Sequence, residues 1–298
     1  MNGLAKEQTK FESWVLASRP KTLLAAFVPV LVGSAIAYSD NALNILAALV
    51  ALMCSILIQI GTNFVNDLYD YLAGTDTKER VGPKRALTEG LISINEMKLG
   101  ISFTFGLAFI LGTYLVYVST WITFVIGIVS ILAGFAYTAG PFPLAYKGLG
   151  DVFVFIFFGF VGTIGTYYVQ TITVTPFVIW ASIPIGALIT NILVVNNYRD
   201  IEEDKIAGKN TLAVKFGREF TRLQYLIFLI ISYAIPFIAY FTYKESYLIF
   251  LPLLTLPMAV NLVKMIYNFN GSQLNKTLEL TAKLSAIFGV LFAVGILL

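Results

Sequence analysis

Asn196, Asp200 and Asp204 stand four residues apart in the run Asn196-Asn197-Tyr198-Arg199-Asp200-Ile201-Glu202-Glu203-Asp204, a spacing that places side chains on one face of a helix. Like charges so stacked cost an isolated helix about a few tenths of a kcal/mol, and a divalent cation offsets that repulsion. A second cluster repeats the pattern with a variation. Asn66 and Asp70 are four apart with Asp67 beside them, and Gly74 offers a helix stop after which Asp76 folds back toward the same point. Donors that are all oxygen select a hard cation, and Mg²⁺ is the one commonly held by a few carboxylates together with substrate phosphates. Lys84, Arg85, Arg199, Lys205 and Lys209 lie in the same two segments and suit the outer oxygens of a metal-held diphosphate. Lys78, Glu79, Arg80, Glu96, Lys98, Glu202 and Glu203 read as ordinary solvated charges.

The missing residue types narrow the chemistry further. The chain has no histidine and a single cysteine, Cys54. That excludes a Ser-His-Asp triad, a Cys-His dyad, a zinc site of the usual ligands, an axial histidine for haem and an intramolecular disulfide.

The elements that carry these clusters are membrane spans. With 58% apolar residues, 12% charged ones and a mean hydropathy of +0.81, the 298-residue chain cannot cover a water-facing surface, and a bilayer suits it. The charge-free stretches Thr22 to Ser39, Asn41 to Asn66, Leu223 to Tyr243, Ser246 to Val263 and Leu284 to Leu298 each suit one crossing. Leu99 to Tyr146 and Val152 to Tyr198 suit two each, on the basis of about 20 residues per crossing. The expectation is an all-α integral membrane protein of about nine spans in one bundle, a single domain over 1–298. Its last helix starts near Leu278 so that Lys283 can snorkel. With the amino terminus in the cytoplasm, 19 of the 20 Lys and Arg fall inside and only Lys244 outside, as the positive-inside rule requires. Met1 to Trp14 mixes acid and base without a continuous apolar region, so it reads as an interfacial helix and not a cleavable signal.

Both acidic clusters then sit at the inner ends of even-numbered spans, in the connections Asp67 to Lys98 and Asn197 to Arg222. Of 17 Asp and Glu only Asp40 and Glu245 face outside. Residues 63–76 and 196–204 read as a weak internal duplication. Tyr137 closes the fourth span, and Lys147, the only base of its connection, follows at the same face.

At these residues the chain resembles the UbiA superfamily of intramembrane prenyltransferases, and within it the 1,4-dihydroxy-2-naphthoate branch of menaquinone biosynthesis. The resemblance runs almost end to end. It rests on Trp14 through Ala17, Ser18-Arg19-Pro20-Lys21-Thr22, Gln59-Ile60-Gly61-Thr62-Asn63, Asn66-Asp67 with Asp70, Gly74-Thr75-Asp76 and Arg80-Val81-Gly82-Pro83-Lys84-Arg85-Ala86. It continues in Tyr137-Thr138-Ala139-Gly140-Pro141, Asn196-Asn197-Tyr198-Arg199-Asp200 and Ala207-Gly208-Lys209-Asn210-Thr211-Leu212-Ala213. The commonest superfamily pattern has its last Asp where this chain has Gly74, and Asp76 two residues on favours the naphthoate branch.

The resemblance implies that Asn66, Asp70 and Asp76, with Asn196, Asp200 and Asp204, hold two Mg²⁺ ions on a polyprenyl diphosphate. It makes Lys84, Arg85, Lys147, Arg199 and Lys209 the counter-charges, with Asn197 and Tyr137 beside the diphosphate. The implied reaction is transfer of the prenyl group to 1,4-dihydroxy-2-naphthoate with loss of diphosphate and CO₂, in the cell membrane. Asp67, which adjoins the metal motif without sharing its face, is a candidate base toward the acceptor; an outer-shell or helix-end role is the alternative. Another acceptor within the superfamily is a second reading, and an ion transporter with acidic gating residues a third. The third fits poorly, because transporters place coupling charges near the midplane. Nothing in the chain points to nucleic acid or to an obligate protein partner.

Overall fold

The computed structural model describes residues 9–76 and 81–298. Lys78, Glu79 and Arg80, and the first part of the expected interfacial helix, lie outside the described residues. The helices in chain order are α1 (Lys10–Ser18), α2 (Pro20–Ser39), α3 (Ile45–Leu72), α4 (Ile94–Val118), α5 (Trp121–Ala136) and α6 (Gly150–Thr171). There follow α7 (Pro176–Arg199), α8 (Ile201–Ile206), α9 (Leu212–Tyr243), α10 (Tyr247–Asn268) and α11 (Gly271–Leu297). Eight of them are long and apolar enough to cross a bilayer, and the 16-residue α5 is the shorter ninth. The expectation of nine spans among the described residues therefore holds. Wide apolar exposure, such as Ile110 at 65% and Leu132 at 61%, is what a lipid-facing surface requires and what water would not tolerate.

Local chemistry sets the ends of the elements. Thr9 and Glu12 form a reciprocal capping box that starts α1, and Ser93 with Glu96 does the same for α4. Lys10 then pairs with Glu96 across the two starts at 2.8 Å. Arg19 adopts a positive φ of 51° between α1 and α2, which lets Pro20 open α2 at a tolerated first position.

Two boundaries differ from the charge-based reading. Charge does not end α3 at Asn66: the helix continues to Leu72, because the polar residues of its last turns have partners inside the protein, and Gly74 at φ 68° stops it. The last helix likewise begins before Leu278 and carries Lys276 and Glu279 on its first turns, Glu279 reaching Lys21 of α2 at 2.9 Å.

α7 is the most enclosed span, with 78% of its apolar window buried. Gly186 on α7 meets Gly159 on α6 so closely that a Cβ on Gly159 would lie 2.9 Å from the other glycine's Cα. Such small-residue contacts are how membrane helices gain packing without a hydrophobic driving force. The α6 backbone is a π-helix over Phe155–Ile164, and its Phe157 and Phe158 line an internal cavity.

Candidate functional site

The charged end of the bundle gathers both motifs. On α3, Asn63 donates to the Ser18 carbonyl at 2.9 Å and so ties the α1–α2 junction to this helix. One turn on, Asn66 donates to Asp70 at 3.0 Å and to Thr138 at 3.1 Å, while Arg19 and Arg85 both donate to its Oδ1. Asp70 is 2% exposed and accepts from Tyr146 at 2.6 Å and from Lys209 Nζ at 3.1 Å. Burial, the Asp70 charge and the hydrogen bond to it push the Tyr146 hydroxyl above its ordinary range, so it stays a donor. Asp76 comes back to the same place through Arg85, whose Nε donates to it at 3.0 Å.

The second motif is built around Arg199. Its guanidinium takes both Asp200 oxygens at 2.6 Å, Asn196 Oδ1 at 2.9 Å and Asn275 Oδ1 of α11 at 2.8 Å. The chain is not one continuous helix here: α7 ends at Arg199 and Asp200, at φ −94° and ψ 10°, leads into α8. The three motif residues still keep register, since the Asp200 N–H bonds the Asn196 carbonyl and the Asp204 N–H the Asp200 carbonyl. Asn197 is buried beside them.

The two motifs meet. Lys209 from the second connection pairs with Asp70 of the first, the Val81 N–H donates to Glu203 at 2.8 Å, and Asn275 donates to the Val81 carbonyl at 3.3 Å. Asp204 feels the result: burial above all, with repulsion from Asp200, Asp70 and Glu203 that Lys209 only partly offsets, pushes its carboxyl up to about 7.

Several expected residues stand elsewhere. Asp67 is 1% exposed, and its Oδ2 accepts the Ala86 N–H at 3.2 Å. Through that contact it anchors the loop of Arg85. Lys84 is exposed and faces Glu89 at 3.5 Å, Lys205 is exposed, and Lys147 is exposed over the Phe142 ring. Arg199 is consumed by four hydrogen bonds to three side chains, Asp200, Asn196 and Asn275. Arg19, Tyr146 and Asn275 were not singled out as site residues. The positive φ of Arg19 and the contact of Asn275 across the chain leave no local pattern, whereas Tyr146 next to Lys147 did offer a signal.

Among the described residues no three carboxylates form a ready-made metal cage, and the reason is physical: Lys209, Arg85 and Arg199 neutralise Asp70, Asp76 and Asp200 one by one. The residues nonetheless fit a hard divalent cation. Their donors are all oxygen, Asp67 Oδ1 is buried without a hydrogen-bond partner, and burial together with the charges of Asp200, Asp70 and Glu203 disfavours the Asp204 carboxylate in the absence of a further cation. The sign of the pH dependence follows. The metal-free fold favours the acid form of Asp204, so this contribution to stability is complete below the ordinary value of 3.8 and fades as pH rises through about 7. A cation needs the carboxylate. Apparent Mg²⁺ affinity, followed as metal-dependent thermal stabilisation, is expected to fall by up to about tenfold per pH unit below 7, and Asp204→Asn to flatten that slope. A pH-independent affinity in the unaltered protein would remove Asp204 from the site.

Next to this polar end lies a cavity of about 230 Å³ walled by α2 to α6. Its lining is mostly apolar, with Ser55, Thr113, Thr123, Ser130 and Thr166 interspersed, and Gln59, Thr62 and Tyr137 face it near the charged end. Thr62 is one helical turn from Asn66, and a Cβ on Gly150 would lie 3.2 Å from the Tyr137 hydroxyl. Burial and the charges of Asp151, Asp70 and Asp204 push that hydroxyl above its ordinary range and keep it protonated. A mostly apolar chamber thus ends one helical turn from Asn66 and next to Thr138, to which Asn66 donates.

The chain is 36% identical to the 1,4-dihydroxy-2-naphthoate octaprenyltransferase of Haemophilus influenzae over 97% of each chain. It is 34% identical to that of Bacillus subtilis over 96% of this chain and 92% of the other. A solved structure of a UbiA homologue from Aeropyrum pernix superposes with a TM-score of 0.71 at 14% identity, covering 92% of this chain and 97% of that one. A UbiA homologue from Archaeoglobus fulgidus bound to DMAPP and Mg²⁺ superposes with a TM-score of 0.64 at 17% identity, covering 95% and 99%. These two show the shared fold. The model of the UbiA prenyltransferase family matches residues 26–287, and the chain belongs to that family.

Proposed function

We propose that this protein transfers a polyprenyl group from its diphosphate to 1,4-dihydroxy-2-naphthoate in the cell membrane, with its amino terminus and both acidic connections on the cytoplasmic side. The observation that carries the reading is the gathering of buried carboxylates and cations from two distant connections, Lys209 on Asp70 above all, close to the end of a mostly apolar intramembrane cavity. The naphthoate acceptor is supported by the near full-length relatives of that name.

In this reading Asn66, Asp70, Asp76, Asn196, Asp200 and Asp204 hold two Mg²⁺ ions. When bound, they neutralise the diphosphate and the charge it gains on leaving. Arg85 and Lys209 turn from their carboxylates toward the diphosphate oxygens as metal takes their place. Lys84 and Lys147 act at the exposed rim, where they aid capture more than turnover, so Lys84→Ala is expected to raise KM about two- to fivefold with kcat unchanged. Arg199 fixes Asp200 and Asn196 from behind. Tyr137, facing the cavity with its proton retained, orients the acceptor. The C1–O bond of the donor breaks with its electron pair on diphosphate, a ring carbon of the naphthoate forms the new C–C bond, and the acceptor's carboxyl carbon departs as CO₂.

The test supplies purified protein in lipid with labelled prenyl diphosphate, dihydroxynaphthoate and Mg²⁺, with and without EDTA. A prenylated quinol that forms with Mg²⁺ and vanishes in EDTA supports the reading, and equal product in chelator would overturn it. A product from homogentisate or another acceptor, with none from the naphthoate, would move the protein to a different branch of the family.

A further inference from the structure

The start of α6 lies against the hydroxyl that faces the cavity. A Cβ on Gly150, its first residue, would be 3.2 Å from the Tyr137 hydroxyl, and Phe153 and Val154 of the same turn line the cavity together with Tyr137. Between Gly150 and Phe153 stands Asp151, which is 4% exposed. No Lys or Arg among the described residues pairs with it, and its side-chain partner is Gln224 of α9, which donates to Oδ1 at 3.3 Å. A carboxylate enclosed without a cation is costly to keep. Within a membrane span such a group marks a functional site.

The Tyr137 hydroxyl is the neighbour on which Asp151 can act. That hydroxyl makes no hydrogen bond to a described residue, and among the surrounding charges Asp151 acts on it most strongly. Asp70 is already taken by Tyr146 and Lys209. Asp151 is therefore left to receive the Tyr137 proton, directly or through one bridging water. A carboxylate only accepts hydrogen bonds, so Tyr137 turns its proton toward α6 and offers the cavity a lone pair. What fits opposite a lone pair is an O–H, and a dihydroxynaphthoate carries two on its ring.

We propose that Asp151 sets the direction of the Tyr137 hydroxyl, so that Tyr137 accepts a hydrogen bond from a ring hydroxyl of the aromatic acceptor. Asp151 is a positioning residue that works through Tyr137 without touching the substrate. The inference rests on the prenyl-transfer reading above and adds to it the feature by which the acceptor is recognised. As the ring gives up electron density to the prenyl carbon its hydroxyl becomes more acidic, so the hydrogen bond to Tyr137 strengthens in the transition state and acts on kcat. Asparagine at 151 loses the directing effect, because an amide donates as well as accepts.

The experiment compares dihydroxynaphthoate with its two mono-O-methyl ethers, using purified protein in lipid with Mg²⁺ and one prenyl diphosphate. The proteins are the parent, Asp151→Asn, Tyr137→Phe and the double variant, each with its thermal unfolding recorded. The parent is expected to use at least one ether at least about tenfold less well in kcat/KM. Each single variant is expected to lose about tenfold in kcat on the dihydroxy acceptor, to keep KM for prenyl diphosphate within about twofold, and to use that ether within about threefold of the dihydroxy acceptor. The double variant should be no slower than Tyr137→Phe, since the two residues act as one. A purely structural Asp151 would lower stability and leave the preference for the free hydroxyl intact. A parent indifferent to both methylations, an Asp151→Asn variant that keeps the parent's preference, or losses that add in the double variant would overturn the inference and leave prenyl transfer standing. Should Asp151→Asn fail to fold, Tyr137→Phe decides, and an unchanged preference there overturns the inference as well. A parent that transfers no prenyl group to the naphthoate would remove the functional reading and this inference together.

Discussion

Asp70→Asn and Asp200→Asn are each expected to lower kcat/KM for prenyl transfer by at least about a thousandfold, equivalent to about 4 kcal/mol of transition-state stabilisation. Each carboxylate is buried, at 2% and 5% exposure, and each already faces a cation at 3.1 Å and 2.6 Å. A charge so placed acts in a water-poor environment where its replacement by a neutral amide is strongly felt. Asn preserves the shape and, at residue 70, an oxygen to accept the Tyr146 hydroxyl, so the change isolates charge from packing. The measurement is steady-state transfer over a range of Mg²⁺ concentrations with thermal unfolding as control. Loss of activity with Mg²⁺ dependence unaltered, or variants within tenfold of the parent, would refute a metal role for these two residues.

Arg199→Met is expected to cost about 3–5 kcal/mol of stability in metal-free protein, the usual penalty for removing one partner of a buried ion pair. The arginine side chain is 1% exposed and the Asp200 side chain 7%, so water cannot replace the lost guanidinium. The damage also spreads, because Asn196 and Asn275 lose the donor that binds α7 to α11. Saturating Mg²⁺ should recover part of the deficit, since a metal ion at Asp200 supplies the missing positive charge. Unfolding in detergent with EDTA and with Mg²⁺ distinguishes the outcomes. A variant as stable as the parent in EDTA would show that the Arg199–Asp200 pair is not what secures this end of the bundle.

The two experiments bear on different functions of one set of charges. In the metal-free protein Lys209, Arg85 and Arg199 act as internal counter-ions to Asp70, Asp76 and Asp200 and hold the two connections together. Asp204, by contrast, is pushed up to about 7, chiefly by burial and then by the neighbouring carboxylates that Lys209 only partly offsets. It is therefore the group through which pH and metal occupancy are most tightly linked.

Much of this protein was readable in the order of its residues because the bilayer imposes a one-dimensional constraint. A span must be apolar over its whole length, so the charge-free stretches alone yielded nine helices, and the motif residues fell at the ends of spans because charge is costly elsewhere. Gly74 was readable as a stop for the same local reason: a positive φ is cheap for glycine and strained for other residues. The continuation of α3 past Asn66 was not readable, because it depends on Tyr146, Thr138 and Lys209, distant in sequence, satisfying the polar groups of its last turns.

What tertiary structure alone decided is which charge meets which. Spacing marks Asp70 and Asp200 as ligand candidates, but it cannot say that Lys209 faces the first, that Arg199 turns back on the second, or that Asp67 is occupied with the Ala86 N–H. Nor could composition place a mostly apolar cavity within α2 to α6. Periodicity reports the face of one helix, whereas pairings and cavities arise from how several faces are brought together, and that information is held jointly by residues far apart in the chain.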